Sequence, residues 1–326
     1  MNSKEVNKLE IHYYLNDDSH AIDAYIRHKC DAEILAIIKE LISEFGGNID
    51  VLNEIPSEGG WKDFVKIIKK NKDVLQIGIG TATLIVMILQ AIFTNTNTAD
   101  PDLIKKQRES LNLDVELKKL SIEKIKRELE EGKKPEDVLK DSIKIFSQSL
   151  KTVKRRSNFY TILRDYPEVN QFSSTTYLDD KVAGKESIVE RKDFQKFILN
   201  SDELSIIEDD TAIIEIVAPV LGYGQYNWRG FYKNDSISFS MEDEKFQQSI
   251  SNKEVSFQKG YFMLCLLEYK RRLNDKGEIE GYDYSVPIVI GQVIGETITE
   301  TPQGKRYKRI KKLLENQLDI DFENED

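Results

Sequence analysis

The spacing of apolar residues changes along the chain, and each change predicts a different element. Leu9, Ile11, Tyr13 and Leu15 alternate with polar residues, the pattern of a strand over residues 9–15. Asn16, Asp17, Asp18 and Ser19 supply turn and N-cap chemistry. Apolar residues then recur at helical spacing from Ile22 through Tyr25, Ile26, Ile34, Leu35, Ile37, Ile38, Leu41 and Ile42 to Phe45, and Gly46 and Gly47 end the helix. Alternation returns over residues 48–55, Pro56 closes it, and residues 61–70 (WKDFVKIIKK) read as a short basic helix. Residues 1–72 are thus expected to form a small strand–helix–strand module, which buries little by itself.

Between residues 74 and 99 no charged side chain occurs. The stretch 74–93 (VLQIGIGTATLIVMILQAIF) spans ~30 Å as a helix, about the thickness of a bilayer's hydrocarbon core. Its Leu, Ile, Val and Phe residues contribute about −5 kcal/mol towards insertion, opposed by Gln76, Gln90, Thr81 and Thr83. The pattern predicts one transmembrane helix over residues 73–99. The competing expectation is a core helix, because a helix buried inside a soluble domain is also apolar all round.

Residues 100–165 read as an amphipathic helical stalk. Ile104, Leu111, Val115, Ile122, Ile125 and Leu129 make one stripe, broader than a two-stranded coiled-coil seam. Gly132 and Pro135 break it, and helical spacing resumes from residue 136 to Leu163. After Pro167 the period falls from 3.6 to 2. Strands are expected over residues 169–176, 187–191, 211–221, 226–232, 236–241, 255–257, 261–273 and 282–294, with short helical pieces at 193–199 and 243–250. Residues 166–301 therefore form a β-rich domain, a small sandwich or partly open barrel. Trp228, Phe231, Tyr232, Phe239, Phe246, Phe257 and Phe262 are its expected core. Residues 302–326 form a charged helical or disordered tail. The fold class is α+β.

Charge narrows the range of partners. The net charge is −10, so the chain as a whole is not built to coat nucleic acid, whose phosphates demand a concentrated basic face. Two local basic runs stand out: Lys151, Lys154, Arg155 and Arg156, and Lys305, Arg306, Lys308, Arg309, Lys311 and Lys312. Each reads first as a solvated helix face. Cys30 and Cys265, in different modules, make no disulfide framework or zinc spacing. His12, His20 and His28 lie near Asp17, Asp18, Asp23, Cys30 and Glu33, but His20 and His28 are two helical turns apart, ~12 Å, too far for one ion. No metal or cofactor is expected. The glycines at 222 and 224, and at 291 and 295, do not open helices and are turn glycines, not a nucleotide loop.

One short stretch carries candidate chemistry. An apolar strand runs into Glu268-Tyr269-Lys270, placing Glu268 and Lys270 on one face, with Asp243 or Asp235 upstream. Over about ten residues this resembles the core of metal-dependent nucleases of the PD-(D/E)xK type. That resemblance implies carboxylates of Glu268 and Asp243 on Mg²⁺ and Lys270 positioning the attacking water.

Taken together, the pattern favours a membrane-tethered binding or sensing protein without a catalytic site, single-pass in the cell membrane. A protein partner or self-association is expected, the small-molecule ligand is open, and a bacterial stress or defence setting is one expectation. The alternatives are a soluble metal-dependent nuclease or hydrolase using Glu268 and Lys270, and a soluble, cytoplasmic scaffold with a buried apolar helix.

Overall fold

The computed structural model describes residues 6–16, 21–45, 49–54, 62–69, 81–95, 102, 123–125, 127, 131, 135–178, 181–220, 226–258, 260–294 and 297–322. The class is α+β, in two compact units: Met1–Asp202 with Leu273–Ile279, and Glu203–Arg272 with Glu280–Asp326. The expected boundary at 165/166 therefore moves to Asp202/Glu203. Most of the expected stalk over residues 100–131 lies outside the described residues.

The first unit is a sheet with helices. Its strands are β1 (Val6–Leu15), β2 (Ile49–Glu54), β3 (Lys62–Lys69), β4 (Val169–Leu178), β5 (Lys181–Val182) and β6 (Ser187–Glu190), in the order β2-β3-β1-β4-β5 with β6 also on β4. All pairings are antiparallel. The register sets Leu9 opposite Val65 on one side and Thr176 on the other. β3 corrects the basic helix expected over residues 61–70. Phe64, Val65, Ile67 and Ile68 put apolar groups on both faces, and a short run of that kind has no decisive period. β4 to β6 correct the assignment of residues 169–191 to the C-terminal domain, because alternation identifies a strand without naming its partner.

The helices are α1 (Ala24–Phe45), α2 (Thr81–Thr94), α3 (Pro135–Ser147) and α4 (Leu150–Asp165). Asp23 caps α1, accepting from the backbone N–H groups of Tyr25 (2.8 Å) and Ile26 (3.1 Å). α3 opens with Pro135, Glu136 and Asp137, the first-turn residues a helix start favours. α3 and α4 are not a stalk. Val138 and Phe146 of α3 and Val153, Phe159, Tyr160 and Leu163 of α4 are buried, most of them in one core with Leu9, Ile11 and Phe172 of the sheet.

α2 is the apolar segment, and it is a core helix. Among the described residues no helix is long and apolar enough to cross a membrane. α2 as described has 14 residues, about 21 Å as a helix. It packs on β1, β3, β4 and β6 and on α1, α3 and α4. Leu84, Ile85, Val86, Ile88, Leu89, Ile92 and Phe93 are buried over more than half of its circumference, and Met87, Gln90, Ala91 and Thr94 on the remaining face are half-buried. The parts of the expected span over residues 73–80 and 96–99 lie outside the described residues.

A helix that ends inside a core leaves carbonyls without partners. Arg156 Nη1 donates to Ile92 O at 3.3 Å, and the Tyr160 hydroxyl donates to Phe93 O. Both side chains are fully buried on α4, with the Arg156 guanidinium 5.4 Å from the Phe197 ring. A cation at a helix C-terminus also meets the favourable end of the macrodipole. Burial holds the Arg156 guanidinium down at about 10. Gln90, out of place in a lipid-facing helix, donates to Ser174 O (2.9 Å) and Lys185 O (3.2 Å). Arg191 likewise serves the end of α4, donating to the carbonyls of Leu163, Arg164, Tyr166 and Val169.

The second unit is a closed five-stranded barrel. Its strands are β7 (Ile207–Ala218), β8 (Trp228–Tyr232), β9 (Asp235–Met241), β10 (Phe262–Leu273) and β11 (Ile279–Ile294), ordered β10-β7-β8-β9-β11, and β11 pairs back to β10. β9 and β11 run parallel. A short helix α5 (Glu244–Ser251) joins β9 to β10, and β12 (Thr297–Glu300) adds to β11 outside the ring. The last helix, α6 (Pro302–Phe322), takes the helical form of the two expected for the charged tail. Residues 255–257, expected as a strand, are irregular.

Alternation fills the barrel with Ala212, Ile214, Trp228, Tyr232, Ile237, Phe239, Met263, Cys265, Leu267, Val286 and Phe246 of α5. Gly230 sits between Trp228 and Tyr232 because a Cβ there would lie 2.5 Å from Ile214 and 2.6 Å from Glu215 O. The β8–β9 turn takes positive φ at Lys233 (48°) and Asn234 (70°), the type I′ geometry that suits a two-residue hairpin. A bulge between the Cys265 and Leu267 pairings shifts the parity of β7. Asp209 then meets the Tyr232 hydroxyl (2.5 Å), which itself accepts from the Tyr269 hydroxyl (2.8 Å).

Two predictions follow from these cores. Changing Ile85 and Leu89 together to Lys buries two cations against β1 and β4, so the chain is expected to lose its cooperative thermal transition and aggregate. A variant that stays folded while leaving a membrane fraction would contradict a core position. The second concerns acid. Burial works to raise the Asp209 carboxyl, but the bonds from Tyr232 and Thr211 and the nearby Lys233 hold it down at about 2. Its unfolded value is ~3.9, so its stabilisation is present above pH ~4 and is lost as pH falls through about 2. Asp209→Asn is expected to flatten that part of the acid unfolding curve, measured by circular dichroism. A curve unchanged between pH 4 and 2 would refute the assignment.

Candidate functional site

Parity along β8 and β9 decides which side chains face outward. Trp228, Gly230 and Tyr232 turn in, so Arg229 and Phe231 turn out. On β9, Ile237, Phe239 and Met241 turn in, leaving Ser236, Ser238 and Ser240 outside. The register sets Ser236 opposite Phe231 and Ser238 opposite Arg229. On the other side Glu215 of β7 stands opposite Phe231, and Phe262 of β10 stands opposite Glu215. One row therefore crosses four strands: Ser236, Phe231, Glu215, Phe262. Neighbouring strands lie about 4.8 Å apart, so the row is roughly 14 Å long.

Phe231 is 45% exposed at the middle of this row. Val217, in the bulge of β7 opposite β8, together with Ile213 and Phe262, adds exposed apolar surface. Tyr226 precedes β8 and is exposed as well. Arg229 is exposed beside Phe231, and Lys233 stands at the turn, 3.4 Å from Asp209 and 4.8 Å from the Tyr232 ring centre. Chemically the face offers an aromatic plane, a guanidinium, a carboxylate and serine hydroxyls. An aromatic plane stacks on another flat ring, the guanidinium suits a phosphate or carboxylate, and the carboxylate accepts from amino groups. Phe231 and Phe262 were expected in the core with the other aromatics. Trp228, Tyr232, Phe239 and Phe246 are buried, and Phe257 packs against them half-buried. The signal that separates them is the alternation in WRGFY, which places Phe231 with Arg229.

The nuclease-like residues are engaged elsewhere. Asp243 is buried at the N-cap of α5, where it accepts from Phe246 N (3.0 Å), Val289 N (2.8 Å) and Gln303 Nε2 (3.1 Å). Its oxygens thus tie α5, β11 and α6 together. Glu268 accepts from Ser285 Oγ at 3.1 Å, and its cross-strand neighbour is Glu208. Lys270 is exposed. Among the described residues no three His, Cys, Asp or Glu side chains stand close enough to hold a metal ion.

The residues near the histidines are likewise dispersed. His12 packs against Tyr14 with ring centres 4.0 Å apart and planes tilted by 36°, and His28 is exposed on α1. Cys30 is buried in the core, where burial pushes its thiol up. Glu33 pairs with Arg155 at 3.1 Å. Asp17, Asp18 and His20 lie outside the described residues.

The outer face of the first sheet holds a polar cluster that sequence reasoning did not find. The Tyr14 hydroxyl and Ser173 Oγ each donate to Glu186 at 2.6 Å, and the Tyr177 hydroxyl donates to the buried Glu10. Burial, then the bond to Glu10, pushes the Tyr177 hydroxyl up to about 12. These carboxylates hold the tyrosines protonated and pin β1 to β4.

Comparison of the chain with protein-family models, with curated proteins and with solved structures finds no match.

Asp243→Ala removes an acceptor shared by two backbone N–H groups and a side-chain amide. It is expected to destabilise the second unit by about 2–4 kcal/mol, measured by urea unfolding, whereas Glu268→Ala costs under about 1 kcal/mol. Equal costs would refute the structural role given to Asp243.

Proposed function

We propose that the protein is a binding protein whose barrel holds single-stranded nucleic acid on the outer face of β8 and β9. The observation that carries the reading is Phe231, exposed on the middle of the barrel with Arg229 beside it and serines opposite both. A five-stranded Greek-key barrel with a helix before its fourth strand resembles the OB-type architecture, whose second and third strands bind oligonucleotides and oligosaccharides. That likeness is one of architecture, so the weight rests on the side chains.

In this reading Phe231 stacks on an unpaired base and Glu215 accepts a hydrogen bond from a base amino group. Arg229 contacts phosphate, and Ser236 and Ser238 meet sugar or phosphate oxygens. Paired bases hide their faces, so single strands are preferred to duplex. The overall charge of −10 opposes any polyanion, and binding is accordingly weak and favoured by low salt. The membrane tether has no part in this reading, since its core, α2, is buried.

Fluorescence anisotropy with labelled single-stranded oligonucleotides and a matching duplex, at low ionic strength, tests it. The intact chain is expected to bind the single strand more tightly than the duplex. Phe231→Ala is expected to weaken binding about tenfold, within the ~1–3 kcal/mol per stacked base. Arg229→Glu is expected to weaken it and reduce the salt dependence. Absence of single-strand binding, or affinity indifferent to Phe231, would overturn the reading and leave the row as an apolar protein-contact surface.

A further inference from the structure

The last helix carries a surface that neither the barrel face nor the first unit accounts for. α6 is anchored at its start. Thr301 caps it, its Oγ1 accepting from Gly304 N (3.0 Å) while donating to Val289 O (2.5 Å). Gly304 is packed so closely that a Cβ would fall on the backbone of Ile290. The Tyr307 hydroxyl donates to Asp210 at 3.3 Å, and Lys311 pairs with the same carboxylate. Lys308 pairs with Glu300 at 2.6 Å. Beyond that anchorage Ile310, Leu313 and Leu314 are 46%, 59% and 57% exposed. They stand at i, i+3 and i+4, one face of the helix. Ile310 and Leu314 also border a groove of about 680 Å³ between α6 and the barrel, lined besides by Ile288, Tyr307 and Arg306. The sequence places Leu318 and Phe322 at the same spacing further on.

Charge decides what covers this face. Residues 302–312 hold six cations and no acid: Lys305, Arg306, Lys308, Arg309, Lys311 and Lys312. Residues 315–322, the rest of the helix, hold three acids and no cation: Glu315, Asp319 and Asp321. Helices favour acids at the N-terminus and cations at the C-terminus, so this order is the reverse of what α6 alone prefers. A basic half followed by an acidic half complements itself when a second copy runs antiparallel. Each cation-rich half then meets an acid-rich half, and the two helix dipoles oppose. An anionic membrane or a polyanion complements only the first half and is repelled by the second.

We infer that α6 is a self-association element that pairs antiparallel with α6 of a second copy of this chain. A crossing centred on Leu314 sets Ile310 level with the partner's Leu318, and Arg309 level with the partner's Asp319. The helix has 21 residues, roughly 30 Å, long enough for several such layers on either side of the crossing. The pairing does not depend on nucleic-acid binding by the barrel face.

Sedimentation equilibrium of the full chain at low and high salt tests the pairing. The wild type is expected to dimerise, with a dissociation constant that rises at least tenfold between 50 and 500 mM salt, values set by the screening length (about 14 to about 4 Å). Leu313→Ser with Leu314→Ser changes only side chains already more than half exposed, and is expected to give a folded monomer. One charge variant, Arg309→Glu with Lys312→Glu, and a second, Glu315→Lys with Asp319→Lys, are each expected to be monomeric alone and to form a heterodimer when mixed. A monomeric wild type, a dimer that survives the leucine changes, or charge variants that fail to pair on mixing would each overturn the inference. Dimerisation lost only with the Phe231→Ala variant would assign self-association to the barrel face instead.

Discussion

A helix whose apolar face takes up more than half its circumference has to be covered from several directions, and the first unit is arranged around that requirement. The apolar face of α2 is covered by β1, β3, β4 and β6 and by α1, α3 and α4, and the narrower face with Gln90 and Thr94 is half-buried. Such burial creates its own difficulty, because the carbonyls at the end of α2 are shut away from water. Arg156 and Tyr160 meet them from α4, one turn apart on the same helix face. The aromatic cluster of Phe93, Phe159, Tyr160, Phe172, Phe194 and Phe197 packs around the same point. A hydrophobic constraint and a hydrogen-bonding constraint thus converge on one helix end, and residues far apart in the chain are brought together by it.

The second unit shows a different use of the same physics. Closing β11 onto β10 abolishes the open edges of the ring and gives each strand an inside and an outside. The inside is filled by Trp228, Phe239, Met263 and their neighbours, and Asp243 ties α5, β11 and α6 together at the rim. The outside is then available for recognition, which is why an aromatic and an arginine on alternate positions of β8 carry more functional meaning than the larger aromatics within. The end of the barrel also shows how one irregularity redirects chemistry. The bulge in β7 sends Asp209 to the Tyr232–Tyr269 pair and leaves Asp210 for Tyr307 and Lys311 of α6.

Much of the element content was legible in the sequence, and little of the assembly was. Alternation located β1, β2, β4 and β8 to β11, and helical spacing located α1 and α4, because period depends only on local order. Partners were not legible. Nothing in residues 169–178 states that they pair with residues 7–15, since that contact is long-range. The apolar run over residues 74–93 was ambiguous in kind, because lipid and protein core make the same demand on a side chain. Gln90 carried the discriminating signal, as a donor that finds the Ser174 and Lys185 carbonyls on the half-buried face of α2. The candidate face was half legible: parity in WRGFY marks Phe231 as outward, but aromatic content alone drew it into the core. Glu268 and Lys270 were read as chemistry because they share a face, yet a site needs a third group nearby, and Asp243 is occupied in holding the fold.

Amide hydrogen exchange over residues 81–94, in the intact chain purified without detergent, tests the central claim that α2 is the core of a folded unit. The account predicts protection as strong as that of β1 and β4, with all three segments exchanging together only on global unfolding. Rapid exchange of α2 in water while β1 and β4 remain protected, with protection restored only by detergent or bilayer, would contradict it.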